Sequence, residues 1–399
     1  MRADAITANR GARGAGMAAW RQGRYTACMA TKDTLERPTK ARMLEAFNFH
    51  VLACRGMEAP LAAALIEAAR DDIERDGPVA DLLADFEGDP LPSALALRLL
   101  AGLHRLVLTD RAPELAAHCA TVGGSLGNPH EAGALGIELV KGFADELRPQ
   151  LLVDPQTNEV ARSGALFGGL QTIWKRTNLP MRLFELGASA GLNLRFDAYR
   201  YKLGIFEWGD PDSPVLIEPR WLGDFLRPAK PFEILSREGC DVAPIDVHDE
   251  EQVLRLRSYV WPDERDRYDR LRSAIELVRA QPVTVTRDDA VDFLADKLAE
   301  TTLGVTTVVY HSIFWDYMSA SDRKEVEAIF EEAAIRSRVS SPLAWLRLEP
   351  QDHRFQLRLR LWPKGGGRDE LLAEAHPHCR WVHWKATGMR PMLEEIDDG

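Results

Sequence analysis

The sequence predicts an α/β protein in which a doubly wound, mostly parallel, seven-stranded sheet follows an all-helical N-terminal domain. Two observations lead to this prediction. From about residue 40 to residue 150, apolar residues recur at steps of three and four, as they do on one face of a helix. After residue 150, short apolar runs alternate with helical patterns, which is typical of a parallel sheet with helices on both faces. The predicted domains are therefore 37–150, helical, and 151–390, α/β.

The helical pattern is clearest in two stretches of the first domain. APLAAALIEAARDDI places Leu61, Leu65, Ala68 and Ala69 on one face, and LPSALALRLLAGLHRLVL repeats the pattern from Leu91 onward. A different composition precedes them. Residues 1–32 carry basic side chains against a single acid and contain no apolar signal sequence. Residues 1–36 are thus expected to form a disordered basic tail outside the fold.

Seven apolar segments of the second domain are the expected strands. They are residues 181–187, 242–247, 282–286, 304–314, 343–350, 355–363 and 379–384. SASDRKEVEAIFEEAAI, which begins at Ser319, is predicted to be a serine-capped amphipathic helix between the fourth and fifth of them. A Trp-, Gly- and Pro-rich stretch near 200–230 is predicted to be an insertion or flap, with Trp208 and Trp221 as candidates to cover a substrate.

Composition narrows the class of protein and its partners. The chain is 45% hydrophobic and 28% charged with a net charge of −11, which disfavours nucleic acid and anionic lipid as partners. No apolar run approaches the ~20 residues that span a bilayer. Five scattered cysteines without a C-x-x-C pair favour reduced thiols in a cytoplasmic protein. His376, His378 and His383 lack paired ligand spacing, so no metal site is predicted.

The stretch FELGASAGLNL, from Phe184 to Leu194, fits two different functions. Residues 187–191 match G-x-S-x-G, the turn that exposes the nucleophilic serine of an α/β hydrolase. The same residues match a glycine-rich cofactor loop after a first strand, in which Ser189 is a spacer. No H-G-G-G oxyanion loop precedes them, and an unpaired Glu185 buried before an elbow would cost several kcal/mol. The cofactor loop is therefore favoured over the hydrolase.

A hydrolase would also require an acid and a histidine later in the chain. Residues in a suitable order are Asp246, Asp289, Glu349, His353, His376, His378 and His383. A long charged chain supplies such partners by chance, so the serine hydrolase is kept only as an alternative. A non-catalytic binding module is the second alternative.

Residues 185–191 resemble motif I of class I S-adenosylmethionine-dependent methyltransferases, commonly acid-x-G-x-G-x-G, with Ser189 in place of the middle glycine. Over residues 40 to 385, segments such as QTNEVARSGAL, WGDPDSPV, YVWPD and RLRLWP are similar to an uncharacterised bacterial family known only as a domain of unknown function. The resemblance implies a methyltransferase-like Rossmann sheet that binds S-adenosylmethionine. The acidic chain favours a small-molecule acceptor over nucleic acid.

The loop and the following strand ends supply most of the expected cofactor-binding residues. Gly187 and Gly191 would let the backbone turn and approach a ligand closely. Asp246 follows the predicted second strand and would accept the ribose hydroxyls, although it equally fits a helix N-cap. The resemblance implies that Asp289, or else Asp288, accepts the adenine amino group, while two acids that stabilise a helix start are the alternative.

Four more residues complete the expected cofactor site. Glu185 would hydrogen-bond an ammonium or ribose group, and Ser189 and Asn193 belong to the same loop. Arg162 lies one helix before the first strand and would clamp the cofactor carboxylate. The alternative for this segment is a helix capped by Thr157.

Residues 310–317, YHSIFWDY, follow the fourth predicted strand, where methyltransferases place substrate-facing groups. His311 or Asp316 would accept a proton from the acceptor, and Tyr317 or Trp315 would line the transfer site. The stretch is not N-P-P-Y or D-P-P-Y, which disfavours an amino-group nucleic-acid methylase. For His311 alone, the alternative is a buried histidine whose nitrogens are satisfied by the core.

Overall fold

The computed structural model describes residues 36–224, 233–352, 354–362 and 367–386. The expected basic tail lies outside these ranges except for its last residue, and so do His353 and part of the predicted flap. The chain divides into two compact units. The first comprises Met1–Thr157 and Asp249–Asp269, and the second comprises Asn158–His248 and Arg270–Gly399.

The helices and strands are numbered here in chain order. The α-helices are α1 Lys40–Gly56, α2 Pro60–Glu74, α3 Pro78–Leu83, α4 Leu95–Leu108, α5 Pro113–Ala116, α6 Pro129–Leu151, α7 Ser163–Thr177, α8 Glu250–Ser258, α9 Arg265–Ala280, α10 Ala290–Lys297 and α11 Ala320–Arg336. The strands are β1 Met181–Leu186, β2 Arg200–Leu203, β3 Phe206–Trp208, β4 Leu216–Ile217, β5 Arg220–Gly223, β6 Ile234–Asp241, β7 Thr284–Arg287, β8 Thr306–Ser312, β9 Leu343–Gln351, β10 Arg354–Trp362, β11 Asp369–Ala375 and β12 Trp381–Trp384.

The first unit is built from helices, and none of the strands falls in its described residues. Leu61 and Leu65 of α2 are buried with Leu99 and Leu103 of α4, as their helical spacing predicts. Glycines let α6 approach α2 closely. A Cβ on Gly133 would lie 2.9 Å from Cβ of Ala68, so a larger residue there would force the helices apart.

Within the described ranges, no helix is both long enough and apolar enough to cross a bilayer.

Asp263 caps α2 from a distant part of the sequence. Its carboxylate accepts hydrogen bonds from the backbone N–H groups of Leu61 and Ala62 at 2.7 and 2.9 Å, donors that the first turn of a helix cannot satisfy internally. We expect Asp263→Ala to lower the free energy of unfolding by about 1–2 kcal/mol. Denaturant unfolding measures the loss. A change no larger than that caused by Glu138→Ala, which removes an exposed acid from the middle of α6, would contradict a capping role.

The second unit contains a nine-stranded sheet in the order β5-β12-β11-β10-β9-β8-β1-β6-β7. Strands β9, β8, β1, β6 and β7 are parallel neighbours, while β9 to β12 form an antiparallel meander. The sheet is thus mainly parallel, as predicted, but the expected count of seven strands is wrong. Strands β5, β6 and β11 were not predicted, and the strand expected at 242–247 is wrong, because those residues form the loop that follows β6.

Helices cover both faces of the sheet. On one face α7 packs so closely that a Cβ on Gly169 would lie 2.5 Å from Leu346 of β9. On the other face α10 and α11 bury Phe293 and Phe330, and the Phe330 ring stacks on Trp345 with a centroid distance of 4.2 Å. Leu346 and Trp345 are successive residues of β9, so they point to opposite faces. Because helices cover both faces of the sheet, successive residues at the start of β9 are all buried.

The Trp-, Gly- and Pro-rich stretch forms a small sheet, β3-β2-β4, and the edge strand β5. Trp208 packs against Phe167 with ring centroids 4.6 Å apart. Trp221 is buried and stacks on Trp384 with centroids 5.6 Å apart. The expectation that these two tryptophans cover a substrate is therefore replaced by a packing role, because each ring is occupied by an aromatic neighbour.

Candidate functional site

The loop after β1 lies where the strand order reverses. From β1 the chain adds β6 and β7 on one side of the sheet, and it then returns to add β8 and β9 on the other side. In open α/β sheets, ligands bind outside the carboxyl ends of the strands at such a reversal. Residues 187–193 therefore occupy the position at which this topology most often binds a ligand.

Glycines are required at both ends of this loop. Gly187 has a φ of +65°, and a Cβ there would lie 2.3 Å from Cδ2 of Phe314. Gly191 has a φ of +69°, and its Cβ would lie 2.7 Å from Cγ2 of Val283. A side chain at either position would meet both an unfavourable backbone conformation and a neighbouring side chain. The expected tight turn is thus observed, and the side chain that approaches Gly187 is Phe314, whereas the close approach of a ligand stays a prediction.

Ser189 is held by its backbone. Its N–H donates to Oδ2 of Asp241 at 2.9 Å, its carbonyl accepts from the N–H of Ile245 at 3.2 Å, and its φ is +53°. The residue is 4% exposed, and its Oγ has no hydrogen-bond partner among the described residues. The positive φ also suits a nucleophile elbow, but a buried Oγ that no described histidine contacts does not.

Asp241 is a site residue that sequence reasoning missed. It ends β6, beside β1, and its carboxylate accepts from the N–H groups of Ser189 and Ala243, both at 2.9 Å. Asp246, which was expected at this strand end, is exposed and accepts from the N–H of His248 at 2.9 Å in the following loop. Pro244 lies inside the run that was predicted to be the strand, and a proline argues against a central strand. That signal would have moved the strand end to Asp241.

Glu185 is buried at the end of β1. It is 2% exposed, and its Oε2 accepts from the hydroxyl of Tyr310 on β8 at 3.3 Å. The pKa of Glu185 is raised to about 8, mainly by burial and to a smaller extent by the nearby negative charge of Asp241, whereas Tyr310 and Arg162 oppose the shift. The carboxyl group is therefore mainly protonated at neutral pH and acts as a neutral hydrogen-bonding group.

Asn193 closes the loop. Its Nδ2 donates to the carbonyl of Glu159 at 3.3 Å, and its own carbonyl accepts from Tyr310 at 3.4 Å. The side chain is 2% exposed, and its Oδ1 has no partner within the described part of the chain. Buried polar atoms are nearly always satisfied by protein, water or ligand. Oδ1 of Asn193 and Oγ of Ser189 are therefore candidate ligand contacts.

Arg162 connects three segments of the second unit. Its guanidinium donates to the carbonyls of Ser312 at 3.1 Å and Pro377 at 3.2 Å. The short 3₁₀ helix Val160–Arg162, which directly precedes α7, is capped by Glu159, whose Oε1 accepts from the N–H of Ala161 at 3.1 Å. Thr157 is therefore not the observed cap. The expected role of Arg162 as a carboxylate clamp remains a prediction, alongside its observed bonds to the backbone.

Asp288 and Asp289 follow β7 at the start of α10. Asp289 is the N-cap and accepts from the N–H groups of Val291 and Asp292 at 2.8 and 3.0 Å. The N–H of Asp288 donates to the carbonyl of Asp241 at 3.1 Å, which links this strand end to the loop site. The helix-start alternative is thus observed for Asp289. Its expected contact with adenine remains a prediction.

His311 is part of the core. Its Nδ1 lies 2.6 Å from Oε1 of Glu349, its Nε2 accepts from Nε1 of Trp345 at 3.1 Å, and its ring stacks on Trp315. Since Trp345 can only donate, Nε2 is the acceptor and Nδ1 carries the proton that Glu349 accepts. Both ring nitrogens are therefore occupied. The expected role of His311 as a base is replaced by a structural one, and Glu349 is its missed partner.

Glu349 also holds the loop after β8. Its two carboxylate oxygens lie 3.0 and 3.2 Å from the N–H of Phe314. The preceding residue, Ile313, has a φ of +51°, a conformation that is a true outlier for a β-branched side chain. Strain of this kind persists only where the surroundings enforce it, and it is concentrated at ligand sites. The strained turn places the Phe314 ring against Gly187.

Asp316 and Tyr317 lie in the short 3₁₀ helix Trp315–Tyr317. Burial raises the pKa of Asp316, Glu349 raises it further, and Arg323, whose Nη1 lies 3.7 Å from Oδ1, lowers it. Tyr317 is 61% exposed. Of the two predicted proton acceptors, His311 and Asp316, the structure therefore favours Asp316.

The hydrogen bonds and contacts described above join the predicted loops into one region. Asp241 joins the β1 loop to the end of β6 and, through its carbonyl, to Asp288, while Phe314 brings the loop after β8 against Gly187. Asp246, which was also predicted as a site residue, lies in the following loop and accepts from the N–H of His248. Asp288, Asp289 and Asp292 form the one group of metal-compatible spacing found among the described residues, and two of the three are exposed.

The fold and the loop define an α/β protein with a mainly parallel sheet and a candidate ligand crevice at its strand-order reversal. The chain belongs to the family described as "Uncharacterized protein conserved in bacteria (DUF2332)", whose profile matches residues 45–384. This match confirms the resemblance to an uncharacterised bacterial family over nearly the expected span. No curated protein and no solved structure matches the chain.

Proposed function

We propose that the second unit binds S-adenosylmethionine and that the protein is a methyltransferase with a small-molecule acceptor. The observation that carries the proposal is the position of the glycine loop. In chain order the parallel strands β1, β6, β7, β8 and β9 are arranged 3-2-1-4-5, the order of a nucleotide-binding half-sheet, and the loop follows its first strand. The acid of the motif I resemblance, Glu185, lies at the end of β1, and the two glycines and the asparagine lie in the loop that follows.

The donor and acceptor groups of the loop suit an amino-acid-like ligand end. Oδ1 of Asn193 accepts hydrogen bonds only, which suits an ammonium group, and the hydroxyl of Ser189 donates or accepts, which suits a carboxylate. Both atoms are buried and lack partners among the described residues. Binding of such a ligand end would satisfy them at little cost in conformational entropy, because both side chains are already ordered by packing.

The end of β6 suits a nucleoside. Each carboxylate oxygen of Asp241 accepts one backbone N–H and retains a second lone pair, which is what two ribose hydroxyls require. The next residue, Val242, is 70% exposed. An exposed aliphatic side chain next to that carboxylate supplies an apolar surface for a flat base. Asp241 thus takes the ribose role that the sequence assigned to Asp246.

The chemistry requires little from the chain beyond orientation and a proton acceptor. S-adenosylmethionine supplies an electrophilic methyl group for direct in-line transfer. The ordered loop and the Phe314 ring would hold the reacting atoms in line and keep water away. Asp316, whose pKa burial raises, would take the proton of a hydroxyl or amine acceptor. Tyr317, which is exposed, would line the acceptor entrance.

Calorimetry with S-adenosylmethionine and S-adenosylhomocysteine tests the proposal. We expect saturable binding of both at micromolar to submillimolar concentration by the folded full-length protein. Absence of heat and of any thermal shift at millimolar ligand would rule out the cofactor. Binding without methyl transfer to any member of a small-molecule acceptor library would favour the non-catalytic binding module instead.

A matched pair of variants tests the role of Asp241. Asp241→Ala is expected to weaken S-adenosylmethionine binding by about 10- to 100-fold, because charge-assisted hydrogen bonds to two hydroxyls and the bond that shapes the Ser189 turn are lost together. Asp246→Ala removes the same charge from the following loop and should leave affinity unchanged. Equal losses in the two variants would exclude the assignment of the ribose site to Asp241.

A further inference from the structure

Three arginines lie together on one face of the second unit's sheet. Arg347 of β9 and Arg358 of β10 are direct partners in the antiparallel register, and Arg360 follows two residues later on the same face. Like charges placed directly opposite each other on neighbouring strands normally repel. The set formed by Arg347, Arg358 and Arg360 is called the arginine cluster below.

Tryptophan rings support two members of the cluster. The guanidinium carbon of Arg347 lies 4.2 Å from the centroid of the Trp345 ring, and that of Arg360 lies 4.5 Å from the centroid of Trp362. Such contacts fix the plane of a guanidinium and leave its outer N–H groups available. The side chains are therefore ordered before any ligand arrives, which lowers the entropic cost of binding.

The acids in contact with the cluster do not balance its charge. Asp369 is shared, since it pairs with Arg347 and also with Nε of Arg358 at 3.0 Å. Glu331, which is mostly exposed, pairs with Nη2 of Arg360 at 2.8 Å. Three guanidinium charges thus contact two carboxylates, which leaves one positive charge on a chain whose net charge is −11.

Two N–H donors of the cluster also lack an acceptor in the described ranges, which agrees with its unbalanced positive charge. Nε of Arg347 and Nε of Arg360 have no acceptor among the described residues. Burial lowers the pKa of Arg347, and the neighbouring charges of Arg358 and Arg360 lower it further, while Asp369 opposes them. Nη1 of Arg358 donates to Oε1 of Gln356 at 2.9 Å, so within the described part of the chain the cluster lacks negative charge and acceptors for these two Nε atoms.

We propose that the arginine cluster is a binding site for a phosphate group, either inorganic phosphate or the phosphate of a small phosphomonoester. A phosphate carries nearly two negative charges at neutral pH and three strong acceptor oxygens, which matches several guanidinium groups better than a single carboxylate does. The site stands on its own geometry and does not depend on S-adenosylmethionine.

Titration of the full-length protein tests the site without any cofactor. Inorganic phosphate and phenyl phosphate are added at pH 7.5 and constant ionic strength, with chloride as the replacement anion, and binding is followed by calorimetry and thermal shift. We expect saturable millimolar binding of one or both. A preference for phenyl phosphate identifies the ester as the ligand class, and a preference for inorganic phosphate identifies the free ion. A response no greater than that to chloride overturns the proposal.

Two variants, one that removes a positive charge and one that removes a negative charge, test the phosphate site further. Arg358→Gln should weaken phosphate binding by about tenfold or more, because a charge-assisted pair is lost. Asp369→Asn removes the competing carboxylate and should tighten binding several-fold. Arg200→Gln is the control, since Arg200 is similarly exposed and forms one ion pair with Glu207 elsewhere in the unit. Unchanged or weaker binding in Asp369→Asn would contradict the site even if Arg358→Gln fails to fold.

Discussion

Replacing Gly187 by alanine is expected to abolish S-adenosylmethionine binding and to lower the free energy of unfolding by about 2–4 kcal/mol. Two costs combine at this position. The residue has a φ of +65°, which a side chain disfavours, and the new Cβ would lie 2.3 Å from the Phe314 ring. Glu349 and the strained Ile313 fix the backbone of Phe314, so the clash can be relieved only by rotating the ring out of its packed position or by breaking the turn. Calorimetry and denaturant unfolding measure the two effects.

A second glycine separates the two costs. Gly304 has a φ of +76°, yet a Cβ there would meet no atom within 4 Å. Gly304→Ala should therefore show only the backbone cost, about 1–2 kcal/mol, with cofactor affinity unchanged. In the Gly187→Ala protein, Phe314→Leu should recover part of the lost stability, because it shortens the clashing ring. Identical losses for the two alanine variants, with no recovery, would show that the close approach of Phe314 does not matter.

Glu185→Gln is expected to make the protein more stable than the wild type at alkaline pH. The pKa of Glu185 is raised from 4.5 to about 8 by burial, so the folded state binds this proton more tightly than the unfolded state does. The corresponding stability is fully present below about pH 4.5 and is lost as pH rises through about 8. A shift of this size corresponds to roughly 3–5 kcal/mol between those limits. Glutamine keeps the neutral hydrogen bond without the ionisation.

Denaturant unfolding of both proteins at pH 5, 7 and 9 tests this prediction. The two free energies should lie close together at pH 5 and diverge in favour of Glu185→Gln by pH 9. Glu238→Gln on the neighbouring strand is the control, because that carboxylate is partly exposed and paired with Lys297. Its pH dependence should follow that of the wild type. Parallel curves for Glu185→Gln and wild type would mean that Glu185 is ionised in the folded protein.

The apolar strands of the sheet were predictable from local sequence. The strands β1, β8, β9 and β10 and the serine cap of α11 lie where periodicity and capping place them. Strand β11, DELLAEA, was not predicted because its residues favour helix in isolation. It becomes a strand because β10 and β12 pair with it on both sides. Tertiary pairing of this kind has no signal within the segment itself.

In the candidate site, too, some residues were predictable from local sequence and others depend on distant partners. The loop glycines were predictable because the requirement for positive φ is local to residues 187–191. For His311 the sequence left a proton acceptor and a buried, satisfied histidine open, because its partners Trp345 and Glu349 come from a neighbouring strand, 34 and 38 residues further along the chain. The cofactor roles of the loop residues remain predictions that the ligand titrations test.

The first unit cannot fold completely until residues 249–269 have been synthesised. These residues belong to the first unit, yet they are translated after β1 and β6 of the second. A nascent chain ending at Thr157 lacks Asp263, so α2 still has an unsatisfied N-terminus when the first 157 residues have left the ribosome. The first unit can therefore be completed only after part of the second has emerged from the ribosome. A fragment that ends at Thr157 would lack residues 249–269, which belong to the first unit.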